Sequence, residues 1–410
     1  MKNFSEPIRR GLLAAAGSAL LIALIAGCEQ DGLEYPPAYR EYTYVTNGKS
    51  NDVSVIDNLN LKTIKTIPVG KSPTGVAISP TRNEVYVVNT DSSSLSVIDA
   101  ESNAVVATIG VGGKPYFIDV SSDGERGYIA NSTSNNVSVV DLIGRKVIAT
   151  IGVGIGPGIA RVSPDKKTVV VSNRGQDSVS LLDGDKLSLR SSIPICAQPT
   201  DIAILADSSK AFVVCAASSS STKKKANTPP QPSPPDDAPG QVAVIDLKAE
   251  KLLALLDVGK MPVHLALKPD GGEMFVSNFG SDSVSTIETG TNEVGNTQPM
   301  GGSPVRGLVS ADNALLYESN FGSDTVSIYS IQNAKFIKAV PVGSRPDALA
   351  LQPARNGKQY SLLVANTHSN DVAVVFINPD KPSWSLFTMI PVGIEPRQMA
   401  IKAFTAAQKR

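Results

Sequence analysis

Short runs of alternating apolar and polar residues return along the chain at a nearly constant interval. Each return contains a tetrapeptide that begins with an apolar residue, and the steps between the final residues are 42, 42, 42, 42, 63, 42 and 46. The eight copies lie at residues 44–47, 86–89, 128–131, 170–173, 212–215, 275–278, 317–320 and 363–366. Such regular spacing indicates an internal repeat that builds the whole fold.

Each copy carries three further landmarks in a fixed order. After the tetrapeptide come an alternating run (53–57 in the first copy), a β-branched run closing in Val-Gly (64–70), and a proline that leads another apolar run (73–79). Period-2 alternation bounded by Gly, Pro, Asn and Asp is typical of strands and turns. A repeat therefore encodes four short strands and no helix, which is the pattern of β-propeller blades.

The first tetrapeptide, Tyr44-Val45-Thr46-Asn47, resembles the motif that gives the YVTN-repeat β-propeller family its name. The resemblance covers roughly residues 42–404. Its likeness to propeller blades implies that the Pro-led strand is innermost (A), with strands B, C and D following outward. The chain then starts at strand B and ends at strand A (396–404), so one C-terminal and three N-terminal strands complete a blade. We predict an all-β, eight-bladed β-propeller with this closure, and seven blades is the alternative that the family implies.

The N-terminal residues predict export and lipid attachment. Lys2, Arg9 and Arg10 precede an apolar stretch at 11–26, and Leu24-Ile25-Ala26-Gly27-Cys28 has the form of a lipobox. The stretch is shorter than the ~20 residues that span a bilayer, although an uncut transmembrane anchor remains the alternative. We expect a signal peptide at 1–27, a tether at 28–41, one propeller domain at 42–404 and a tail at 405–410. Glu29 after Cys28 favours the outer membrane.

The charge of the chain gives no reason to expect nucleic acid as a partner. Lys and Arg number 38, as do Asp and Glu, and removal of residues 1–27 leaves a net charge of −2. Such a mixture does not attract a polyanion. We expect a monomer whose partners are a membrane, through lipid on Cys28, and a protein, peptide or small molecule at one face of the ring.

The step of 63 residues holds 21 extra residues, including a Pro-rich run at 229–239. This composition cannot form a packed core, so we expect residues 218–240 to be a disordered loop over the channel mouth. It is either a tolerated insertion or a docking arm.

In the same repeat Cys196 occupies the position of the turn glycine and Cys215 that of the asparagine. Exported proteins meet an oxidising compartment, which favours a disulfide between them; the alternative is two small buried hydrophobes.

Polar residues before strand C are expected to be structural. Pairs such as Asn51-Asp52 and Ser281-Asp282 can bond to backbone N–H groups of their own turn. A ring of cation ligands is the alternative, but it lacks a dense carboxylate cluster. The glycine before each inner strand is expected to supply backbone freedom.

Polar groups that do not repeat converge only at the start of the inner strands, around the channel mouth. The predicted ligand-binding residues are Tyr116, Thr200, Asp201, His264, Arg306, Arg345, Asp347, Glu395 and Arg397. They predict a site of mixed charge for a small molecule or peptide. The alternative is a hydrated channel mouth without a ligand.

The inventory of catalytic groups is short. The chain has two histidines, His264 and His368, and no Cys-x-x-Cys-His segment, Gly-x-Ser-x-Gly elbow or phosphate-binding loop. We therefore expect no cofactor and no metal, and we favour a membrane-anchored binding or scaffold module. An enzyme of lactonase or dehydrogenase-subunit type is the alternative, with Asp201, His264 and Asp347 as acid–base candidates. A surface-layer or adhesive component is the third hypothesis.

Overall fold

The computed structural model describes residues 35–217, 238–353, 361–378 and 383–406. The predicted signal peptide, Cys28 and most of the predicted loop and tail lie outside these ranges. Within them, the only helix is a single 3-10 turn (Phe279–Ser281), and none is long and apolar enough to cross a membrane. The strands form eight antiparallel sheets of four.

The blades are numbered in chain order. Blade 1 contains β1 (Tyr39–Asn47), β2 (Asp52–Asp57), β3 (Lys62–Pro68) and the last strand, β32 (Pro396–Thr405). Blade 2 contains β4 (Pro73–Ile78), β5 (Glu84–Asn89), β6 (Ser94–Asp99) and β7 (Ala104–Gly110). Blade 3 contains β8 (Pro115–Val120), β9 (Arg126–Asn131), β10 (Asn136–Asp141) and β11 (Lys146–Gly152). Blade 4 contains β12 (Pro157–Val162), β13 (Thr168–Asn173), β14 (Ser178–Asp183) and β15 (Ser188–Pro194).

Blades 5 to 8 follow the same plan. Blade 5 contains β16 (Ala197–Ile204), β17 (Lys210–Ala217), β18 (Gln241–Asp246) and β19 (Lys251–Asp257), and blade 6 contains β20 (Pro262–Leu267), β21 (Glu273–Asn278), β22 (Ser283–Glu288) and β23 (Glu293–Pro299). Blade 7 contains β24 (Pro304–Val309), β25 (Leu315–Asn320), β26 (Thr325–Ser330) and β27 (Lys335–Pro341). Blade 8 contains β28 (Pro346–Leu351), β29 (Ser361–Asn366), β30 (Asp371–Asn378) and β31 (Ser383–Pro391).

The Pro-led strands form the inner wall of the ring. Each contacts the inner strand of the next blade, and β32 lies between β28 and β4. Strand β1 pairs with β32 from Tyr39 opposite Thr405 to Val45 opposite Met399, before a local irregularity. The predicted eight-bladed propeller with strand closure is therefore confirmed, and its first strand begins at Tyr39, three residues before the predicted boundary.

The closed joint between blades 8 and 1 also contains a buried polar network. The Gln352 side chain, which follows β28, donates to Glu41 Oε1 of β1 at 2.9 Å, and the Asn58 amide donates to the same oxygen at 3.1 Å. A buried carboxylate is costly without such donors, so these contacts favour the closed arrangement.

The core lies between the blades rather than inside any one of them. Each pair of neighbouring blades shares an apolar cluster, such as Val170, Ile202 and Val213 between blades 4 and 5, or Val45, Leu363 and Ile390 between blades 8 and 1. Strands covered on both faces select Val, Ile and Leu, which explains the repeat's β-branched composition.

The glycine before each inner strand is needed for a close approach, not for the backbone freedom we expected. A Cβ on Gly70 would lie 2.6 Å from Asn89 Cγ, and Gly70 has no positive φ. The Asn89 amide lies against this glycine and donates to Ser94 and Ser96. The residue with positive φ is instead the one just before the proline, such as Ser72.

In blade 5 a disulfide replaces this contact between asparagine and glycine. Cys196 and Cys215 are bonded, with their Cα atoms 5.7 Å apart, at the positions that Gly70 and Asn89 hold in blade 2. Both cysteines are fully buried. The two residue changes are therefore complementary, because each removes one half of the contact that the other blades use.

The polar residues before strand C are structural, but their partners differ from the prediction. They accept the backbone N–H of the turn before the next inner strand, 21 or 25 residues later, rather than that of their own turn. The observed contacts are Asn51 to Ser72, Asn135 to Gly156, Asp177 to Gln198, Asp282 to Ser303, Asp324 to Arg345 and Asn370 to Glu395. These side chains therefore join neighbouring blades.

Candidate functional site

The candidate site lies at the end of the channel where the inner strands begin. Of the predicted ligand-binding residues, Tyr116 and Arg345 are exposed, Asp201 is buried, and the other six are half-buried. Tyr116 is 47% exposed. The structure therefore separates the set into residues that face solvent at the mouth and residues that pack between the blades below it.

Oppositely charged or acid–base side chains bridge neighbouring inner strands in three places. Their closest atoms are Asp119 Oδ1 and Arg161 Nη1 at 3.4 Å, Asp201 Oδ2 and His264 Nε2 at 3.7 Å, and Asp347 Oδ1 and Arg306 Nε at 3.2 Å. Burial lowers the pKa of Arg306, but Asp347 and Asp201 outweigh it, so the pKa is raised overall. Asp119 and Arg161 were not among the predicted site residues, although both lie four residues after the proline of their inner strand, in consecutive repeats.

His264 is a neutral, hydrogen-bonded side chain. Its Nδ1 accepts the backbone N–H of Gly307 at 3.3 Å, so the proton of the neutral ring lies on Nε2, which faces Asp201. Burial, which outweighs the opposing effect of Asp201 and is aided by Arg306 and Arg161, lowers the pKa of His264 to about 4. The ring is therefore uncharged at neutral pH.

The contacts of Asp201 and His264 serve blade packing. Each inner strand has a register irregularity just after its proline, as at Pro199/Ile202 and Pro262/His264. In three blades the side chain two residues after the proline accepts an N–H from the inner strand of the next blade. The contacts are Asp201 Oδ2 to Leu265 N at 3.0 Å, His264 Nδ1 to Gly307 N at 3.3 Å and Gln398 Oε1 to Val76 N at 3.4 Å.

The three acid–base candidates do not form one constellation. Asp201 and His264 lie together between blades 5 and 6, while Asp347 of blade 8 pairs with Arg306 of blade 7. Thr200, the neighbour of Asp201, has its hydroxyl 3.5 Å from the Val214 carbonyl. The arrangement therefore provides buried acceptors and an ion pair rather than a nucleophile beside a general base.

At the mouth itself, Glu395 holds two cations. Its carboxylate lies 3.2 Å from Lys49 Nζ and 2.5 Å from Arg397 Nη2, and the Arg397 side chain is 36% exposed. A Cβ on Gly48 would lie 2.4 Å from Arg397 Nε, so the absence of a side chain there lets the guanidinium lie against the turn. Arg397 thus has a fixed position while part of it still faces solvent.

Arg345 faces an aromatic pair that the sequence reasoning missed. Its guanidinium carbon lies 5.0 Å from the centre of the Phe321 ring, and the Phe321 and Phe279 rings are 6.3 Å apart. Such cation–π geometry leaves the outer guanidinium edge available for an anion. Alignment of the repeats could have identified Phe279 and Phe321, because the residue that follows strand B is Gly, Thr, Ser, Arg or Ala in the other repeats.

Glu318 is the second residue that the sequence reasoning missed. It lies on β25 facing blade 6, is 1% exposed, and stands where the other repeats have Val or Ile. Neither carboxyl oxygen has a hydrogen-bond partner among the described residues. Ser277 is close enough to lower its pKa but is not in hydrogen-bonding geometry.

Gly307 makes room for this carboxyl group. It is paired with Glu318 in the sheet, and a Cβ on Gly307 would lie 2.8 Å from Glu318 Oε2. Burial raises the pKa of Glu318 to about 8, with Ser277 and Arg306 opposing the shift. Glu318 therefore carries a proton at neutral pH, a state that repeat alignment could have suggested from a carboxyl group in an aliphatic column.

Comparisons with known proteins support the fold. Residues 80–223 match the family Cytochrome D1 heme domain, whereas no curated protein matches. Kuenenia stuttgartiensis hydrazine synthase is a similar solved structure, with 20% sequence identity and a TM-score of 0.56 over 74% of this chain and 95% of that one. Dihydro-heme d1 dehydrogenase NirN in complex with DHE has 15% identity and a TM-score of 0.70 over 90% of this chain and 76% of that one. A functionally unknown protein from Desulfotomaculum acetoxidans has 16% identity and a TM-score of 0.58 over 88% of this chain and 98% of that one. They show a β-propeller and do not confirm the YVTN-repeat family.

The described residues do not fit a haem in the channel. His264 already uses Nδ1 for Gly307 and turns Nε2 toward Asp201, and His368 is exposed on the turn after β29. Neither lines the cavity of about 270 Å³ beside Arg161 and Leu265 or the one of about 440 Å³ beside Lys260 and Pro299. No cluster of three or more metal-ligating side chains occurs in the described ranges.

Proposed function

We propose that this protein is a binding module whose channel mouth takes a small molecule or peptide that carries a carboxylate. The observation that carries the proposal is the position of Arg397 and Arg345. Both are fixed by contacts within the mouth, Arg397 by Glu395 and Arg345 by Phe321, while Arg345 is exposed and Arg397 partly so. Guanidinium groups held in this way are suited to bind a carboxylate with two hydrogen bonds.

Contrast with the deeper residues supports this assignment. Asp201 and His264 are engaged by backbone N–H groups of the next blade, so a ligand would have to disrupt packing in order to use them. Arg397 and Arg345 need no such change. Tyr116, which is also exposed at this mouth, offers a hydroxyl from blade 3, two blades away from Arg397.

Titration of the purified chain with mono-, di- and tricarboxylates and with short peptides tests this function. We expect Arg397→Ala and Arg345→Ala each to weaken binding about tenfold, or about 1.4 kcal/mol, measured by isothermal calorimetry. Arg190→Ala is the matched control, because Arg190 also pairs with a glutamate, Glu250, at 2.6 Å but on an outer strand. An equal loss of affinity in all three variants, or unchanged affinity in the two mouth variants, would count against the proposal.

A second candidate function is an enzyme subunit. Two of the similar structures are named as hydrazine synthase and as a dehydrogenase, which favours this alternative. Here Asp201 and His264 would act as the acid–base pair, and His264→Gln would abolish turnover of a lactone or amine substrate. If His264→Gln instead leaves ligand binding at the mouth unchanged and no turnover is found, the binding module is favoured.

The proposal includes export and attachment to a membrane, for which the lipobox ending at Cys28 is the support. The outer membrane is our choice because of Glu29. A surface-layer or adhesive role stays a third hypothesis. Acylation of Cys28 would keep the propeller at a bilayer, while the mouth would remain free for its ligand.

A further inference from the structure

The outer strands of the ring differ in how much apolar surface they present. In blades 7 and 8 five large apolar residues are exposed on two neighbouring outer strands, β27 and β31. They are Phe336, Ile337, Leu386, Phe387 and Met389, of which Phe387 is the most exposed at 59%. Strand β31 alone exposes three of them, and β27 exposes two, as β19 of blade 5 does; among the described residues the outer strands of blades 2 to 4 expose one each and β23 exposes none.

Most of these residues lie on neighbouring strands whose outer edges continue into blade 1, whereas Phe336 is paired with Tyr329 and lies on the face of blade 7 that is turned toward blade 6. Strand β31 lies beside β27 on one side and β3 on the other, and Lys338 Nζ of β27 donates to the Trp384 carbonyl of β31 at 3.0 Å. Ile64 on β3 is 40% exposed and Phe376 adds an aromatic edge next to β31. We call the outer surface of β27, β31 and β3 the rim patch.

The charge of the rim patch has one sign. Its three strands contain Lys62, Lys65, Lys335 and Lys338, all exposed, and no aspartate or glutamate. Strands β7, β11 and β15 also lack acidic residues but carry at most one basic residue each, whereas β19 and β23 of blades 5 and 6 include acidic residues. Aromatic and aliphatic side chains flanked by lysines suit the boundary between acyl chains and anionic headgroups.

The position of the predicted anchor points to the same partner. Strand β1 begins at Tyr39 in blade 1, on the side of the ring opposite the channel mouth, and the outer strands also begin at that side. Seven residue steps separate Cys28 from Tyr35, which is a reach of at most about 25 Å. A lipid on Cys28 would therefore hold blades 8 and 1 close to the bilayer.

We propose that the rim patch is a membrane-docking surface that seats the outer edges of blades 7, 8 and 1 on an anionic bilayer, so that the channel axis runs along the bilayer and the mouth stays open to solvent. This rests on the proposed membrane attachment, but the surface has its own affinity that does not need the acyl chain. A second copy of the chain is the competing occupant, and the test distinguishes it.

The test uses the mature chain, Cys28 to Arg410, with Cys28→Ser, so that no lipid contributes. Sedimentation is measured with vesicles of phosphatidylethanolamine and phosphatidylglycerol, and with vesicles of phosphatidylcholine. We expect binding to the anionic vesicles only, weakened at least tenfold in Ile337→Ser/Phe387→Ser. The control Leu253→Ser/Leu255→Ser removes two residues of similar exposure from blade 5 and should bind as the parent does.

Charge reversal gives a second variant that leaves the apolar residues in place. Lys62→Glu/Lys335→Glu should weaken binding by roughly fivefold or more for each lysine, and added salt should weaken the parent. Unchanged binding in both rim variants would overturn the proposal, as would a concentration-dependent dimer in analytical ultracentrifugation that the same variants abolish. If the acylated chain binds vesicles while the Cys28→Ser chain does not, the rim patch fails and the anchor stands. Calorimetry with a carboxylate then tests the mouth separately.

Discussion

Glu318 shows how one residue changes the chemistry of a repeat. A carboxyl group in an aliphatic column cannot be solvated, so it keeps its proton and needs space, which Gly307 supplies. Repeat alignment identifies both substitutions, but it does not show that they face each other. The same holds for Phe279 and Phe321, whose contact depends on how two neighbouring turns meet.

Glu318 should make the stability of the protein decrease as the pH rises. Its pKa is about 8 in the folded chain against an ordinary 4.5, so the folded state holds a proton that the unfolded state has lost. Between these values folding takes up this proton, and the free energy of unfolding falls with increasing pH and levels off above about 8. His264, with its lowered pKa, acts in the opposite direction between about 4 and its ordinary 6.5, so the Glu318 effect is clearest above that range.

Urea unfolding at a series of pH values measures this effect. Glu318→Gln should remove the decrease, and Glu318→Val, which restores the residue of the other repeats, should also raise stability at alkaline pH by about 1 kcal/mol or more. Glu84→Gln serves as the control, since its partly exposed carboxylate is paired with Arg82 and its pKa is lowered. A parent protein with the same pH profile as Glu318→Gln would show that the buried carboxyl group does not titrate as stated.

The blade is the element at which sequence and structure agree best. Spacing and alternation predicted four strands per repeat, the likeness to propeller blades implied that the Pro-led strand is innermost, and the disulfide expected between Cys196 and Cys215 is present. Spacing and alternation could not predict why the turn residue is glycine, because the reason is contact with an asparagine 19 residues later in chain order. They also assigned Asn51 and its equivalents to their own turns, whereas the hydrogen bonds cross to the next blade.

The disulfide of blade 5 should be replaceable by the contact that other blades use. Cys196→Ser/Cys215→Ser removes the bond and leaves two hydroxyl groups buried, so we expect a loss of about 3 kcal/mol. Cys196→Gly/Cys215→Asn should lose less, because it restores the glycine and asparagine of the neighbouring repeats. Chemical denaturation of the two variants, with the reduced parent as reference, measures the difference. Equal losses would mean that the asparagine contact depends on other residues of its blade.

For the ring as a whole, the number and order of the repeats were sufficient to predict the number of blades and how the ring closes. Eight copies gave eight blades, and the start at strand B with the finish at strand A gave the closure. The functional surfaces were predicted less well. The list of mouth residues combined exposed Arg345 with buried Asp201, because sequence spacing does not show that the position before the proline faces solvent while the second position after it packs against the next blade.

Closure by β32 should be necessary for a cooperative fold. Deletion of residues 396–410 exposes the edge of β1 and the apolar surface around Val45 and Leu363, so we expect aggregation or a broad thermal transition. Deletion of residues 407–410 alone is the control and should unfold as the parent does. Differential scanning calorimetry and gel filtration distinguish them. A sharp transition and a monomeric profile in the longer deletion would show that seven blades and three strands suffice.

Pairing the first strand with the last has a consequence for biogenesis. A blade that takes strands from both ends of the fold cannot be completed until the final residues have been synthesised. The N-terminal strands must therefore wait, unpaired at one edge, through the whole of synthesis. Assembly that ends with closure of the ring, with a holding chaperone covering the open edge until then, suits such a fold.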